Sequence, residues 1–320
     1  MTPANPPRRL SAVIAFGLVY VLWGTTYLAI RIAVEHLTPL LMVGLRYTAS
    51  GLLMLGFRRL NGHRIHVPGR DLLRLLLIGI LLFITSNAVL GWGETYVPTG
   101  LAALFTAVLP LWFLTLERFS HGTDRISPRG VAGIALGIAG VAILLWPGIS
   151  GHAGYGSRQL FGSILVLCSG ISWAAGSILT KRWHMPIDPF TAAGWQMLFG
   201  GILSALLALA LGDLHRATWA PRSLWAIVYL ITAGSLVGFT AYVWLLKNIP
   251  IAKVSTYCYV NPLIAVIIGW VFHGEKMDAF MLVGAAVVIL SVILVTGAKV
   301  NQQVSGESAI DLEPIEPTGD

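Results

Sequence analysis

The long apolar runs of this 320-residue chain hold few polar side chains, and those few fall in matched places. Trp23-Gly24-Thr25-Thr26-Tyr27 lies in the first run, and Ser172-Trp173-Ala174-Ala175-Gly176-Ser177 lies in the sixth. Asn87 sits in the third, Tyr242 in the eighth, and Thr256-Tyr257-Cys258-Tyr259-Val260-Asn261-Pro262 in the ninth. Arg46 is the one cation well inside a run, and Glu94, at the end of the third, is the nearest acid by depth. Indole and phenol rings offer flat faces to apolar groups and to ammonium ions. Amides and hydroxyls offer hydrogen bonds, and a guanidinium can receive a carboxylate. These are tools for recognising a small molecule, not for making or breaking its bonds. His121 and Asp124 come closest to an acid–base pair, but they share a short loop beside arginines and have no matching nucleophile. Cys168 and Cys258 lack metal-ligand spacing, and no Gly-Lys-Ser/Thr phosphate loop exists. The reading is therefore a non-enzyme without metal, cofactor or ATP-driven step.

Each polar group in hydrocarbon needs a partner or a wet cavity. Trp23, Thr26, Asn87, Trp173, Ser177, Tyr242, Tyr257 and Asn261 are the candidate cavity residues. The competing reading is packing between helices, with hydroxyls bonded back to their own backbone. Arg46 and Glu94 are expected to form a structural pair, with reception of a substrate carboxylate by Arg46 as the alternative. Pro98, Pro110, Pro250 and Pro262 are expected to set bends, because proline removes a backbone donor and frees a carbonyl one turn earlier.

The elements that position these residues are membrane spans. A hydrophobic share of 56% with 11% charged residues excludes an ordinary soluble domain. The mean hydropathy of +0.78 says the same. A crossing takes about 20 apolar residues, and ten segments qualify between Leu10 and Thr296. The net charge of +7 resides in short loops, so it reads as a topology signal and not as a nucleic-acid stripe. With the N-terminus inside, fifteen of the 21 Lys and Arg residues fall on the cytoplasmic side and five opposite, with Arg46 within a span. Both termini are thus expected in the cytoplasm.

The spans repeat. Trp92, Pro98, Pro110, His121 and Gly122 recur as Trp244, Pro250, Pro262, His273 and Gly274, at one offset of 152 residues. Trp23 and Arg31 recur as Trp173 and Lys181 at an offset of 150. Five spans per half is an odd number, which forces the halves into opposite orientations. The expected fold is all-α integral membrane, with ten transmembrane helices as two inverted five-helix repeats. Residues 1–9 form a cytoplasmic N-terminus, 10–146 the first repeat, 147–159 a periplasmic linker, 160–296 the second repeat, and 297–320 a disordered acidic cytoplasmic tail. Gly130, Gly133, Gly137 and Gly140 suit close helix packing, within one molecule or between two copies. A monomer is expected, with a homodimer left open.

These residues resemble the EamA-like branch of the drug/metabolite transporters, over essentially Ser11 to Thr296. The matching stretches are Trp23-Gly24-Thr25-Thr26-Tyr27 with Arg31, Pro39 and Arg46. They continue with Pro98-Thr99-Gly100-Leu101-Ala102-Ala103-Leu104, Pro110, Ile171-Ser172-Trp173-Ala174, Tyr257 to Pro262, and Gly274-Glu275. The resemblance implies ten helices, a central cavity, and efflux of small metabolites, often amino acids, across a bacterial inner membrane. It also implies a structural acid after the ninth helix. The first repeat departs there, with Gly122-Thr123-Asp124. The related small multidrug transporters bind protons with an acid in the first helix, whereas this chain has none there before Glu35. Alternative cargoes are cationic drugs or sugar-nucleotide-type solutes. An integral-membrane transferase is the alternative of another class.

Overall fold

The structure, a computed structural model, describes residues 9–121, 128–150, 156–183, 185–249, 254 and 256–310. Among these residues every regular element is helical. Besides the short helix Asp213–Arg216, ten longer helical stretches follow one another among the described residues: α1 (Arg9–Val34), α2 (Pro39–Leu60), α3 (Gly69–Glu94), α4 (Thr99–Leu116), α5 (Pro128–Ser150), α6 (Ser157–Arg182), α7 (Pro189–Ala210), α8 (Pro221–Leu245), α9 (Tyr257–His273) and α10 (Ala279–Ile310). Eight are long and apolar enough to cross a membrane, while the apolar parts of the last two, Val260–His273 and Ala279–Leu294, are shorter.

Local chemistry starts the equivalent helices α2 and α7 alike. Thr38 and Asp188 each cap a helix that begins with proline, accepting from Leu41 N at 3.3 Å and Thr191 N at 3.0 Å. Both helices then present glycine to each other. A β-carbon at Gly44 would lie 2.8 Å from Ala205 Cα, and one at Gly51 would lie 2.6 Å from Leu198 N. One at Gly201 would strike Thr48 N, and one at Gly194 would lie 2.9 Å from Leu55. Rising numbers on α2 thus meet falling numbers on α7, so these equivalent helices run antiparallel. The α5–α10 pair behaves the same way: Gly140 abuts Val288, Gly137 abuts Ser291, and Leu144 abuts Gly284. The halves are therefore inverted, as the odd span count requires.

The remaining contacts obey the same exchange. Helix α1 packs on α8 and α9, and its counterpart α6 packs on α3 and α4. Spans α3 and α8 each contain a π-helical segment, Ile80–Ala88 and Leu230–Gly238, at equivalent positions. Helix α4 is interrupted between Thr106 and Leu109, just before Pro110, whereas Pro262 is carried inside α9. Pro98 stands immediately before α4. Pro250, Gly122 and Asp124 lie outside the described residues.

The tail differs from expectation. Helix α10 continues to Ile310 and does not end near residue 296. Lys299 to Val304 contains no glycine or proline, and Lys299, Gln302 and Gln303 favour helix. Residues 311–320 lie outside the described set.

Candidate functional site

Helices α1, α2, α3, α4, α6, α7, α8 and α9 enclose a central cavity of about 110 Å³. A buried water needs roughly 10–15 Å³ of such space, so the cavity suits several waters or a small solute. The inverted fold brings α1 and α6 to one cavity. That is why Trp23 and Trp173, equivalent in sequence, both line it.

One wall is aromatic. Trp23 meets Trp173 with ring centroids 6.3 Å apart and Tyr257 at 5.2 Å, both edge to face. Its indole Nε1 donates to Gly234 O at 3.1 Å. That carbonyl belongs to the π-helical segment of α8, where the widened turn frees backbone acceptors. Gly238 lets the indole approach, since a β-carbon there would lie 2.8 Å from Trp23 Nε1.

A polar group adjoins it. Arg46 is only 5% exposed and donates from Nε to Ser235 Oγ at 2.9 Å. Its guanidinium lies 4.6 Å from the Tyr47 ring centroid. Tyr47 donates to Asn87 Oδ1 at 2.9 Å, and Asn87 Nδ2 donates to Leu82 O at 2.8 Å. This chain of bonds holds the guanidinium head against the cavity. Arg46 lines that space, and its Nη1 is buried with no hydrogen-bond partner among the described residues. Beside it, the Tyr27 and Thr106 hydroxyls meet at 2.6 Å. The Asn261 amide nitrogen donates to Tyr257 O at 3.2 Å and Tyr20 O at 3.1 Å.

Of the eight expected cavity residues, Trp23, Thr26, Asn87, Trp173, Tyr257 and Asn261 line the cavity together, joined by Arg46 and Pro262. Tyr242 stands one layer behind, its ring 4.9 Å from Trp23. Ser177 does not line the cavity, and its hydroxyl donates to Trp173 O at 2.8 Å. The expected Arg46–Glu94 pair is not formed: among the described residues no ion pair joins them. Arg46 turns to Ser235 on α8. Glu94 lies beside Arg31, which donates from Nη1 to the Glu94 backbone carbonyl. Equal depth did not mean the same face.

Several contributors had no distinguishing sign in the sequence. Ser235 and Tyr47, which orient Arg46, are single polar atoms within apolar runs. Glu275, by contrast, is the structural acid that the resemblance implied after α9: it accepts from Thr99 N at 2.6 Å and Gly100 N at 3.0 Å, capping α4 with a carboxylate where the helix dipole favours one. The polar equipment is also one-sided. Under the repeat offsets Arg46 corresponds to Gln196, Asn87 to Val237, Tyr257 to Phe105 and Asn261 to Leu109.

Comparison with known proteins agrees with this architecture. The EamA-like transporter family matches residues 10–146 and again 160–297. The uncharacterised inner membrane transporter YedA of Escherichia coli K12 is 35% identical over 287 residues, spanning 89% of this chain and 90% of that protein. A probable terminal-alkyne amino-acid exporter of Streptantibioticus cattleyicolor is 27% identical over 291 residues, spanning 89% and 93%. A solved crystal structure with 20% identity aligns at a TM-score of 0.64 over 90% of this chain and 96% of that one, a likeness of fold. Two inverted helical repeats around a cavity, matched twice by one family and over nearly the whole chain by its relatives, have one reading: the chain is a multi-pass membrane protein belonging to the EamA-like transporter family.

Proposed function

We propose that the protein exports small zwitterionic metabolites, most simply amino acids, by alternating access through the central cavity. The observation that carries this reading is a buried guanidinium, with one unpartnered nitrogen, lining the same cavity as the aromatic group of Trp23, Trp173 and Tyr257. An α-amino acid would give its carboxylate to Arg46 and its ammonium to the ring faces. A cationic drug would suit the rings but would bring its charge toward Arg46. The name of the Streptantibioticus relative supports both the cargo and the outward direction. Excess Lys and Arg on one side of the expected topology supports cytoplasmic termini.

The test is counterflow in vesicles reconstituted with the full chain, using labelled L-alanine and L-phenylalanine. The matched amines without a carboxylate, ethylamine and phenethylamine, serve as comparison. The expected result is exchange of the amino acids but not the amines, lost in Arg46→Gln at unchanged protein level. Equal movement of the amines, or movement only of sugars or organic cations, would overturn the cargo.

A further inference from the structure

Glu94 ends α3 close to the start of α4 and to the turn after α9. It is 0% exposed, and neither carboxylate oxygen has a hydrogen-bond partner among the described residues. The charged groups near enough to act on it are Arg31 on α1, Glu275 after α9 and Arg46 on α2. Tyr27 on α1, whose hydroxyl is bonded to Thr106, is a further titratable group within electrostatic reach. Among the described residues no cation takes its carboxylate: Arg31 is bonded to the Glu94 backbone carbonyl, and Arg46 to Ser235. Glu275 has both oxygens on the backbone of α4 and so offers Glu94 no donor. Leu90, one turn earlier on α3, lines the cavity, as does Tyr27. Arg31 is only half-buried. Glu94 therefore lies between the cavity and a more accessible end of the protein.

A buried carboxylate without donors is a poor resting place for a negative charge, while the neutral acid avoids the charge altogether. We propose that Glu94 is a proton-binding site that couples solute movement to the proton gradient, protonated in the conformation described and deprotonated when that end opens. On opening, the carboxyl O–H bond breaks and the proton passes to water. Arg31 then leaves the backbone carbonyl and pairs with the carboxylate. Return of the proton restores the closed arrangement, so one proton is exchanged per cycle. This inference rests on the transport reading above, and two measurements separate their failures.

The first is an infrared pH titration of the purified full chain in vesicles, with no ligand. The expected result is a protonated-carboxyl band that titrates in wild type, is absent in Glu94→Gln and persists in Glu35→Gln. The second is accumulation of labelled L-alanine and L-phenylalanine driven by an imposed pH gradient. For one-proton exchange, each pH unit supports an about tenfold concentration ratio at steady state. Glu94→Gln should then only equalise the two sides while still exchanging label. A band that is absent or does not titrate, or undiminished accumulation in Glu94→Gln, would overturn the proton site. If wild type moves neither amino acid, the cargo reading fails, and the infrared titration alone decides Glu94.

Discussion

The indoles of Trp23 on α1 and Trp173 on α6 meet edge to face, at an interplanar angle of 90°. They are the same residue of the two repeats, brought together by the inversion. Edge-to-face pairs contribute about 0.5–1.5 kcal/mol beyond the area they bury. Either Trp→Ala change removes a cavity wall that no other residue replaces. Cells overproducing the Trp173→Ala variant should lose tolerance to toxic amino-acid analogues at unchanged protein level. Trp173→Phe should retain part of that tolerance. Full tolerance in Trp173→Ala would remove this pair from the transport path.

The Glu275 cap on α4 should show itself in stability. Hydrogen bonds to a charged group are worth roughly 1.5–3 kcal/mol each in favourable settings. Glu275→Ala leaves the N–H groups of Thr99 and Gly100 without this partner, so the melting temperature in detergent should fall clearly. Glu275→Gln, which can accept with one oxygen, should lie between. A melting curve for Glu275→Ala that overlays wild type would show that the bonds carry no net weight.

The glycine seams make a sharper contrast. Gly51→Ala and Gly201→Ala would push α2 and α7 apart, with overpacking costs of about 1–3 kcal/mol. Gly56 lies on the same helix α2 with nothing within 4 Å of an added β-carbon, so Gly56→Ala should be neutral or slightly stabilising. Size-exclusion profiles of fluorescently tagged variants would rank the three. Equal profiles for Gly51→Ala and Gly56→Ala would contradict the close antiparallel packing.

Arg46 and Glu94 make no ion pair, so their substitutions should act independently. Arg46→Gln and Glu94→Gln should add within about 0.5 kcal/mol in thermal stability, as residues without a shared partner do. A double variant markedly more stable than that sum would mean the pair forms in some populated state.

Much of this architecture was legible because Trp and Pro are sparse enough for a repeated offset to stand out. The cavity residues were legible for a related reason: an amide or indole within a long apolar run needs an explanation. What remained hidden was direction around each helix axis. Thr26 and Ser177 are small hydroxyl residues near the matched tryptophans and both bond back to their own helix, yet Thr26 lines the cavity and Ser177 does not. Depth along the span placed Arg46 near Glu94, but the rotation of α2 and α3 sent them to different partners. The π-helical segments were equally invisible. Each widens a turn through ordinary residues, Ile80–Ala88 and Leu230–Gly238, with no proline inside to announce it.

The one-sided placement of Arg46, Asn87, Tyr257 and Asn261 carries a kinetic consequence. When a two-fold carrier turns its site from one compartment to the other, the two repeats trade roles. With identical repeats, the inward-facing and outward-facing forms would be mirror tasks performed equally well. Here one repeat brings Gln196, Val237, Tyr257 and Asn261 where the other brings Arg46, Asn87, Phe105 and Leu109. The two forms are then different chemical environments, and the half-saturating concentration of a solute need not match on the two faces. Such asymmetry cannot move the equilibrium of an uncoupled carrier. It divides the same free-energy cycle into unequal steps, so loading is favoured on one face and release on the other, and the protein works as a rectifier of rate.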